Sequence, residues 1–342
     1  MPISTGPPSH YLSVQDWVSD IRPYVGLGDM IAELKDRKID KGRVGLTGFS
    51  SSIMATPTLF HGDVQTLERE LPGVEFFPAG PLFEEMRLIK STEELAMLTE
   101  AGRIARLVVD AFIEIPEPGM TEAAFYAEIF KTKLINGAEP QLFFLKCSGP
   151  AEPKAGEFWH ILHGVEPSMA PSQRPFEKGD VITAEWHTQY CGYLAAAEFG
   201  VYLGKKAPDQ LKNINRVAVE YLEISKEVMK PGNTIRQAWE AIREPARKAG
   251  LDYVELGFHG HGMASPEFPT AAYPTDYGPP GLNGRDIAER VFEEGMVIGN
   301  NIDLFDPNWR PDVGLHFGDM LVVRGNRAEP LVNIPLELPE IG

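Results

Sequence analysis

Two short segments recur in this chain at nearly the same spacing. Pro118-Gly119-Met120-Thr121 returns as Pro231-Gly232-Asn233-Thr234, and Phe176-Glu177-Lys178-Gly179-Asp180-Val181-Ile182 returns as Phe292-Glu293-Glu294-Gly295-Met296-Val297-Ile298. The offsets are 113 residues (118 to 231) and 116 residues (176 to 292). Two anchors with so similar an offset imply a duplicated unit. Such a unit folds as two similar halves, and the cleft between them is the natural place for a site.

The local signals fit two halves of one design. Ser91-Thr92-Glu93-Glu94 has the form of a capping box, and apolar residues follow at helical spacing to Ile113. Pro116, Pro118 and Gly119 break that helix, and Thr121 caps the next, which runs to about Leu134. In the second copy, residues 211–229 read as a helix, residues 230–232 break it, and Thr234 with Gln237 opens another helix to about Lys248. Strands are expected over 181–187 and 192–203 in the first half, and over 296–304, 313–317 and 320–324 in the second. Before these, residues 1–12 read as a loose arm. Short helices are expected over 14–21, 29–37 and 64–70, and strands over 43–46 and 74–77. The expected class is α+β: a small α/β N-terminal domain over residues 1–85, then helices packed on antiparallel sheet in pseudo-twofold halves over 86–342.

The chain has 342 residues, 49 acidic and 32 basic, for a net charge of −17. That balance argues against nucleic acid and anionic membrane as partners. Cys147 and Cys191 make no CxxC pair or zinc spacing, so reduced thiols in a cytoplasmic protein are expected. No secretory leader and no apolar run of membrane-spanning length is read from the sequence.

Arg87-Leu88-Ile89-Lys90-Ser91, Pro118-Gly119, Gly179-Asp180, Gly192-Tyr193, Gly260-His261-Gly262 and Gly295-Met296-Val297 follow one another in an order that resembles the "pita-bread" hydrolases, over residues 80–340. That family includes creatinase, prolidase, aminopeptidase P and methionine aminopeptidase. The resemblance implies the pita-bread fold, hydrolysis of a C–N bond in a small-molecule substrate and, in the creatinase and prolidase branches, a homodimer. Most members use two divalent metals held by two Asp, one His and two Glu, which lower the pKa of a shared water and polarise a carbonyl.

Carried over position by position, that ligand set falls on Glu185, Ala196, His261, Asn301 and Gly318. The repeat supports part of this register independently, since 185 plus 116 is 301. Alanine and glycine offer no donor and an asparagine carbonyl is a weak one, so no metal is expected, with a single divalent ion as the lesser alternative.

Creatinase is the family precedent for hydrolysis without metal. This chain resembles it at Gly192-Tyr193 followed by Glu198, where the matching Glu helps hold a cationic substrate group. A catalytic His is implied in the loop before Gly179-Asp180; His160 and His163 are the candidates, and His163 is favoured because Gly164 follows it. The expected catalytic residues are therefore His261, His163 and Glu198. The expected substrate-binding residues are Glu185, His187, Tyr193, His259, His316 and Asn301. His261 lies between two glycines on an apparent loop, with His259 two residues away. Glu185 and His187 alternate with Trp186 and so share one strand face. The reading is a metal-independent C–N hydrolase. The alternatives are a non-catalytic binding or scaffold protein of the same fold, and an Xaa-Pro-type metallopeptidase with an unusual ligand set.

Overall fold

A computed structural model describes Ser13, Pro171 and residues 18–21, 26–48, 59–140, 143–150, 173–270 and 287–342. The chain divides into two compact units, Met1–Ser51 with Thr56–Phe83, and Ser52–Ala55 with Glu84–Gly342.

In the first unit, α1 (Leu27–Asp36), β1 (Lys41–Leu46), α2 (His61–Glu70) and β2 (Gly73–Pro78) follow in order. β1 and β2 pair in parallel from Lys41↔Gly73 to Leu46↔Pro78. Parallel neighbours need a crossover, and α2 lies within it. Ile31, Leu67 and Leu71 form the buried centre, with Leu34, Leu46, Val74 and Phe76 packed on it. Of the helix expected over 14–21, residues 18–21 are not helical and 14–17 lie outside the described residues. The arm expected over 1–12 lies outside them too. Helix α3 (Gly80–Leu88) was not legible in the sequence. Its Leu82 and Met86 are 66% and 72% exposed and only Leu88 is buried, so its apolar residues form no continuous buried stripe.

The larger unit begins with α4 (Thr92–Glu114) and α5 (Glu122–Ile135). Ser91 Oγ accepts the Glu94 N–H at 3.2 Å and the Glu94 carboxylate accepts the Ser91 N–H at 2.8 Å, which satisfies two otherwise orphaned helix donors. Thr121 caps α5 through the Ala124 N–H. Leu98, Ala101, Ala105, Val108 and Phe112 give α4 a buried stripe. That stripe packs on an antiparallel sheet of β3 (Phe143–Pro150), β4 (Asp180–Tyr190) and β5 (Tyr193–Tyr202). Trp186 stacks on Phe112, with ring centroids 5.5 Å apart.

The second half repeats the scheme with α6 (Asp209–Val228) and α7 (Ile235–Ala249), the latter opened by the Thr234–Gln237 capping box. Its strands are β6 (Asp252–Gly260), β7 (Glu267–Thr270), β8 (Val297–Asp306), β9 (Arg310–Phe317), β10 (Met320–Val323) and β11 (Ala328–Pro330), in the order β11-β10-β8-β6-β7 with β9 also paired to β8. An antiparallel bridge between Glu198 and Gly318 joins β5 to the residue just past β9. The two halves are thereby connected through their sheets.

The repeated segments bond to each other. In the first half the Gly119 N–H donates to the Phe176 carbonyl and the Phe176 N–H to Met120, both at 2.8 Å. In the second, the Gly232 N–H donates to Phe292 at 3.2 Å and the Phe292 N–H to Asn233 at 2.9 Å. Each half is latched by the same pair of anchors. The glycines are needed for their backbone: φ is +93° at both Gly119 and Gly232, +100° at Gly179 and +91° at Gly295. Asp180, fully buried, receives Arg174 through both carboxylate oxygens (2.6 and 2.9 Å) and the Glu177 N–H (2.9 Å), so the Gly179-Asp180 motif is a structural corner.

Candidate active site

A small polar cavity in the larger unit is lined by Glu185, Glu198, His259, His261, Asn301 and Asp319, together with Ala196, Gly299 and Gly318. Strand register explains the convergence. On β4 and β5, Glu185 is directly opposite Glu198 and His187 opposite Ala196. Cross-strand partners share a face, so these four residues point one way while Trp186 and Ala197 point into the core. On β6, β8 and β9, His259 is opposite Gly299, Gly257 opposite Asn301, and Asp303 opposite His316.

Glu185 and His187 come together, with Oε1 and Nε2 3.3 Å apart. Asn301 Nδ2 donates to Glu198 Oε1 at 3.4 Å. Glu185 and Glu198, directly opposite one another, thus bring two carboxyl groups to one wall of the cavity. Behind Glu198, the Asp303 Oδ1 and His316 Nδ1 are 2.7 Å apart.

His261 does not sit on an open loop. It directly follows β6, is 1% exposed, and its N–H donates to the Val297 carbonyl at 2.9 Å. His259 is on the same face: the two rings stack with centroids 4.6 Å apart. His259 Nδ1 lies 3.1 Å from the Gly260 carbonyl, which places a hydrogen on Nδ1 and leaves Nε2 with its lone pair. His261 Nε2 is 3.3 Å from Ser265 Oγ. Burial pushes the His259 pKa down to about 4. Burial also holds His261 well below the ordinary histidine value, with the neighbouring His259 and His187 adding to the depression. Both are neutral imidazoles at neutral pH.

Tyr193 does not line the cavity; its hydroxyl donates to Glu94 at 3.2 Å. His160 and His163 lie outside the described residues. A group the sequence reading did not single out shapes the His261 segment. Glu267 accepts from Arg87, from Lys90 at 3.1 Å and from the Ala264 N–H at 3.0 Å. A Cβ at Gly262 would lie 2.7 Å from Glu267 Oε2, so the second glycine of Gly-His-Gly makes room for this bracket. Burial lowers the Lys90 pKa, against the opposing pull of Glu267. The contact spans 177 residues and leaves no local sequence signal.

The five positions implied for a dinuclear centre do not suit one here. Ala196 and Gly318 carry no donor atom. A Cβ at Gly318 would lie 2.2 Å from the Asn300 carbonyl oxygen, so a longer side chain there requires the backbone to move. Glu198, Asp303 and His316 bring one potential ligand atom each to within 4.8 Å of one another, a set with room for one ion at most.

Comparison with known proteins agrees with this frame. Over 340 residues the chain is 26% identical to the ectoine hydrolase of Halomonas elongata, covering 97% of this chain and 76% of that enzyme. It is 25% identical to the Xaa-Pro dipeptidase of Pyrococcus furiosus over 284 residues, 82% of this chain and 73% of that one. In fold it is similar to the Xaa-Pro dipeptidase of Bacillus anthracis (TM-score 0.73, 23% identity, 97% of this chain and 84% of that one). It is similar also to the prolidase of Pyrococcus furiosus (TM-score 0.67, 22% identity, 92% and 81%). These likenesses identify the pita-bread fold. The profile of metallopeptidase family M24 matches residues 96–325, and the chain belongs to that family.

Proposed function

We propose that this M24 hydrolase cleaves a C–N bond in a small cationic or hydrogen-bond-donating substrate by histidine and glutamate chemistry, without metal. The observation that carries the reading is the cavity itself: Glu185 faces Glu198 across the strands beside two neutral, stacked histidines, while Ala196 and Gly318 occupy ligand positions. Glu185 and Glu198 hold the substrate, and His187 orients Glu185. Neutral His261 takes a proton from water as the oxygen attacks the trigonal carbon. The C–N bond then breaks, and the imidazolium, a strong acid in this dry setting, returns the proton to the leaving nitrogen. His163 is the alternative proton carrier. The printed functions of the relatives, ectoine hydrolase and Xaa-Pro dipeptidase, support C–N hydrolysis as the reaction class.

The reading places the enzyme in the cytoplasm as a homodimer, with residues 1–85 as the N-terminal domain and 86–342 as the catalytic one. Among the described residues no helix is long and apolar enough to cross a membrane.

The test is turnover on a panel of small amidines, ectoine, N-methyl amino acids and Xaa-Pro dipeptides, with metal analysis of protein purified without chelator. Hydrolysis of one panel member with no stoichiometric metal is expected, and it should be lost in His261→Ala and Glu198→Ala. About two divalent ions per chain would overturn the reading. A single-metal peptidase is the second reading, favoured by the Glu198, Asp303 and His316 cluster.

A further inference from the structure

We propose that Glu267, clamped by Lys90 and Arg87, is a positioning residue for His261 and acts on the imidazole through Ser265. Its bearing on catalysis rests on the reading of His261 as the proton carrier.

The imidazole of His261 has few restraints of its own. Ser265 Oγ lies 3.3 Å from Nε2, and the buried Nδ1 has no partner among the described residues. A ring held by one hydroxyl and by stacking on His259 takes its orientation from where that hydroxyl stands. Ser265 in turn sits inside a loop that Glu267 closes. The Glu267 carboxylate reaches back to accept the Ala264 N–H at 3.0 Å. The Gly262 N–H donates to the Ala264 carbonyl at 3.2 Å, and the Leu194 N–H on β5 donates to the Gly262 carbonyl at 2.8 Å. Ser265 and Glu267 are both buried, so water does not compete freely for these bonds.

Glu267 is fixed from outside the loop. Arg87 donates to its Oε1 and Lys90 Nζ to its Oε2, the latter at 3.1 Å. Charge-assisted bonds to both oxygens hold a side chain that would otherwise turn about three torsions. Lys90 is anchored as well, because its main-chain N–H donates to the carbonyl of Gly295, a corner of the second repeat, at 3.0 Å. The Arg87-Leu88-Ile89-Lys90 and Gly260-His261-Gly262 motifs, far apart in sequence, thus meet at one carboxylate. Groups that react need neighbours whose own conformations are locked, and this clamp supplies one for His261.

The experiment reads the full chain at neutral pH with no substrate present, by proton–carbon correlation of its eight histidine rings. The His261 signal is assigned by its loss in His261→Gln. Ser265→Ala and Glu267→Ala should each move the His261 signal, while that of His61 on α2 stays. The double variant Lys90→Met with Glu267→Gln should keep the His261 signal near its wild-type place, because a glutamine oxygen still accepts the Ala264 N–H and no lysine is left unpaired. A merely structural role lowers the melting temperature of Glu267→Ala and leaves the His261 signal where it was, which overturns the proposal. So does a double variant as displaced as Glu267→Ala, which assigns the effect to lost charge. Should Glu267→Ala not fold, an unmoved signal in Ser265→Ala or a moved one in the double variant sinks the idea. On the hydrolysed panel member, kcat should fall about tenfold to a hundredfold in Ser265→Ala at unchanged KM. A moved signal with unchanged kcat removes His261 as the proton carrier and leaves the clamp standing, so the two readings fail separately.

Discussion

Glu198 and Gly318 exchange both of their main-chain hydrogen bonds, at 3.0 Å in each direction. This reciprocal pair is the seam between the two half-sheets, and it lies in the wall of the cavity. The seam passes through Glu198, the residue proposed to hold substrate, so errors in backbone placement there are transmitted directly to its carboxylate.

Gly318→Ala tests that transmission. The new Cβ would meet the Asn300 carbonyl at 2.2 Å, and a backbone atom cannot swing aside as a flexible side chain does. Overpacking of this kind costs about 1–3 kcal/mol. A melting temperature lower by several degrees is expected, together with weaker substrate binding. An unchanged melting temperature would show that the seam yields freely.

Gly299→Ala separates the site from the scaffold. Its Cβ would lie 2.3 Å from His261 Nε2, so the imidazole has to leave its place. Turnover should fall at least a hundredfold while the far-ultraviolet circular dichroism stays that of the wild type, in keeping with the ~10²-fold loss from small misplacements of catalytic groups. Retained turnover would remove His261 from the reaction.

The pH dependence of stability follows from the buried histidines. A histidine whose folded-state pKa is depressed binds its proton more readily when unfolded. Stability is therefore fully present above the unfolded value near 6.5 and is lost as pH falls toward the folded value. For His259, with a folded value of about 4, the window is pH 6.5 to 4 and the loss is about 3 kcal/mol. Urea unfolding across that range should show the decline, and His259→Gln should flatten it. Equal slopes in the two proteins would refute the assignment.

Asp180→Asn should damage stability without touching chemistry. It removes the charge that Arg174 engages through two hydrogen bonds at a fully buried position. Breaking one partner of such a pair costs about 3–5 kcal/mol when both are buried, and Arg174 is 30% exposed, so about 2–3 kcal/mol is expected. Thermal unfolding measures it. Substrate affinity at a temperature where both proteins are folded should be equal.

What could be read from the residues was whatever is local. The Ser91–Glu94 and Thr234–Gln237 boxes mark helix starts because both partners lie within four residues, and both are formed. Alternation around Trp186 put Glu185 and His187 on one face, as found. The same two-residue period applies to His259 and His261, but glycines on either side of His261 disguised the end of β6 as a loop. α3 escaped because Leu82, Phe83 and Met86 are exposed and only Leu88 is buried, so no apolar stripe marks it. The cavity's deeper features depend on pairings far apart in sequence. His316 on Asp303, Glu198 beside Gly318, and Glu267 under Lys90 are set by tertiary register, which no sequence window contains.

The latches at Gly119–Phe176 and Gly232–Phe292 share no residue with the cavity. What holds each half closed is thus separate from what lines the cavity. A chain built this way is modular at the level of single residues. A change of acid or base in the cleft therefore leaves every latch hydrogen bond in place.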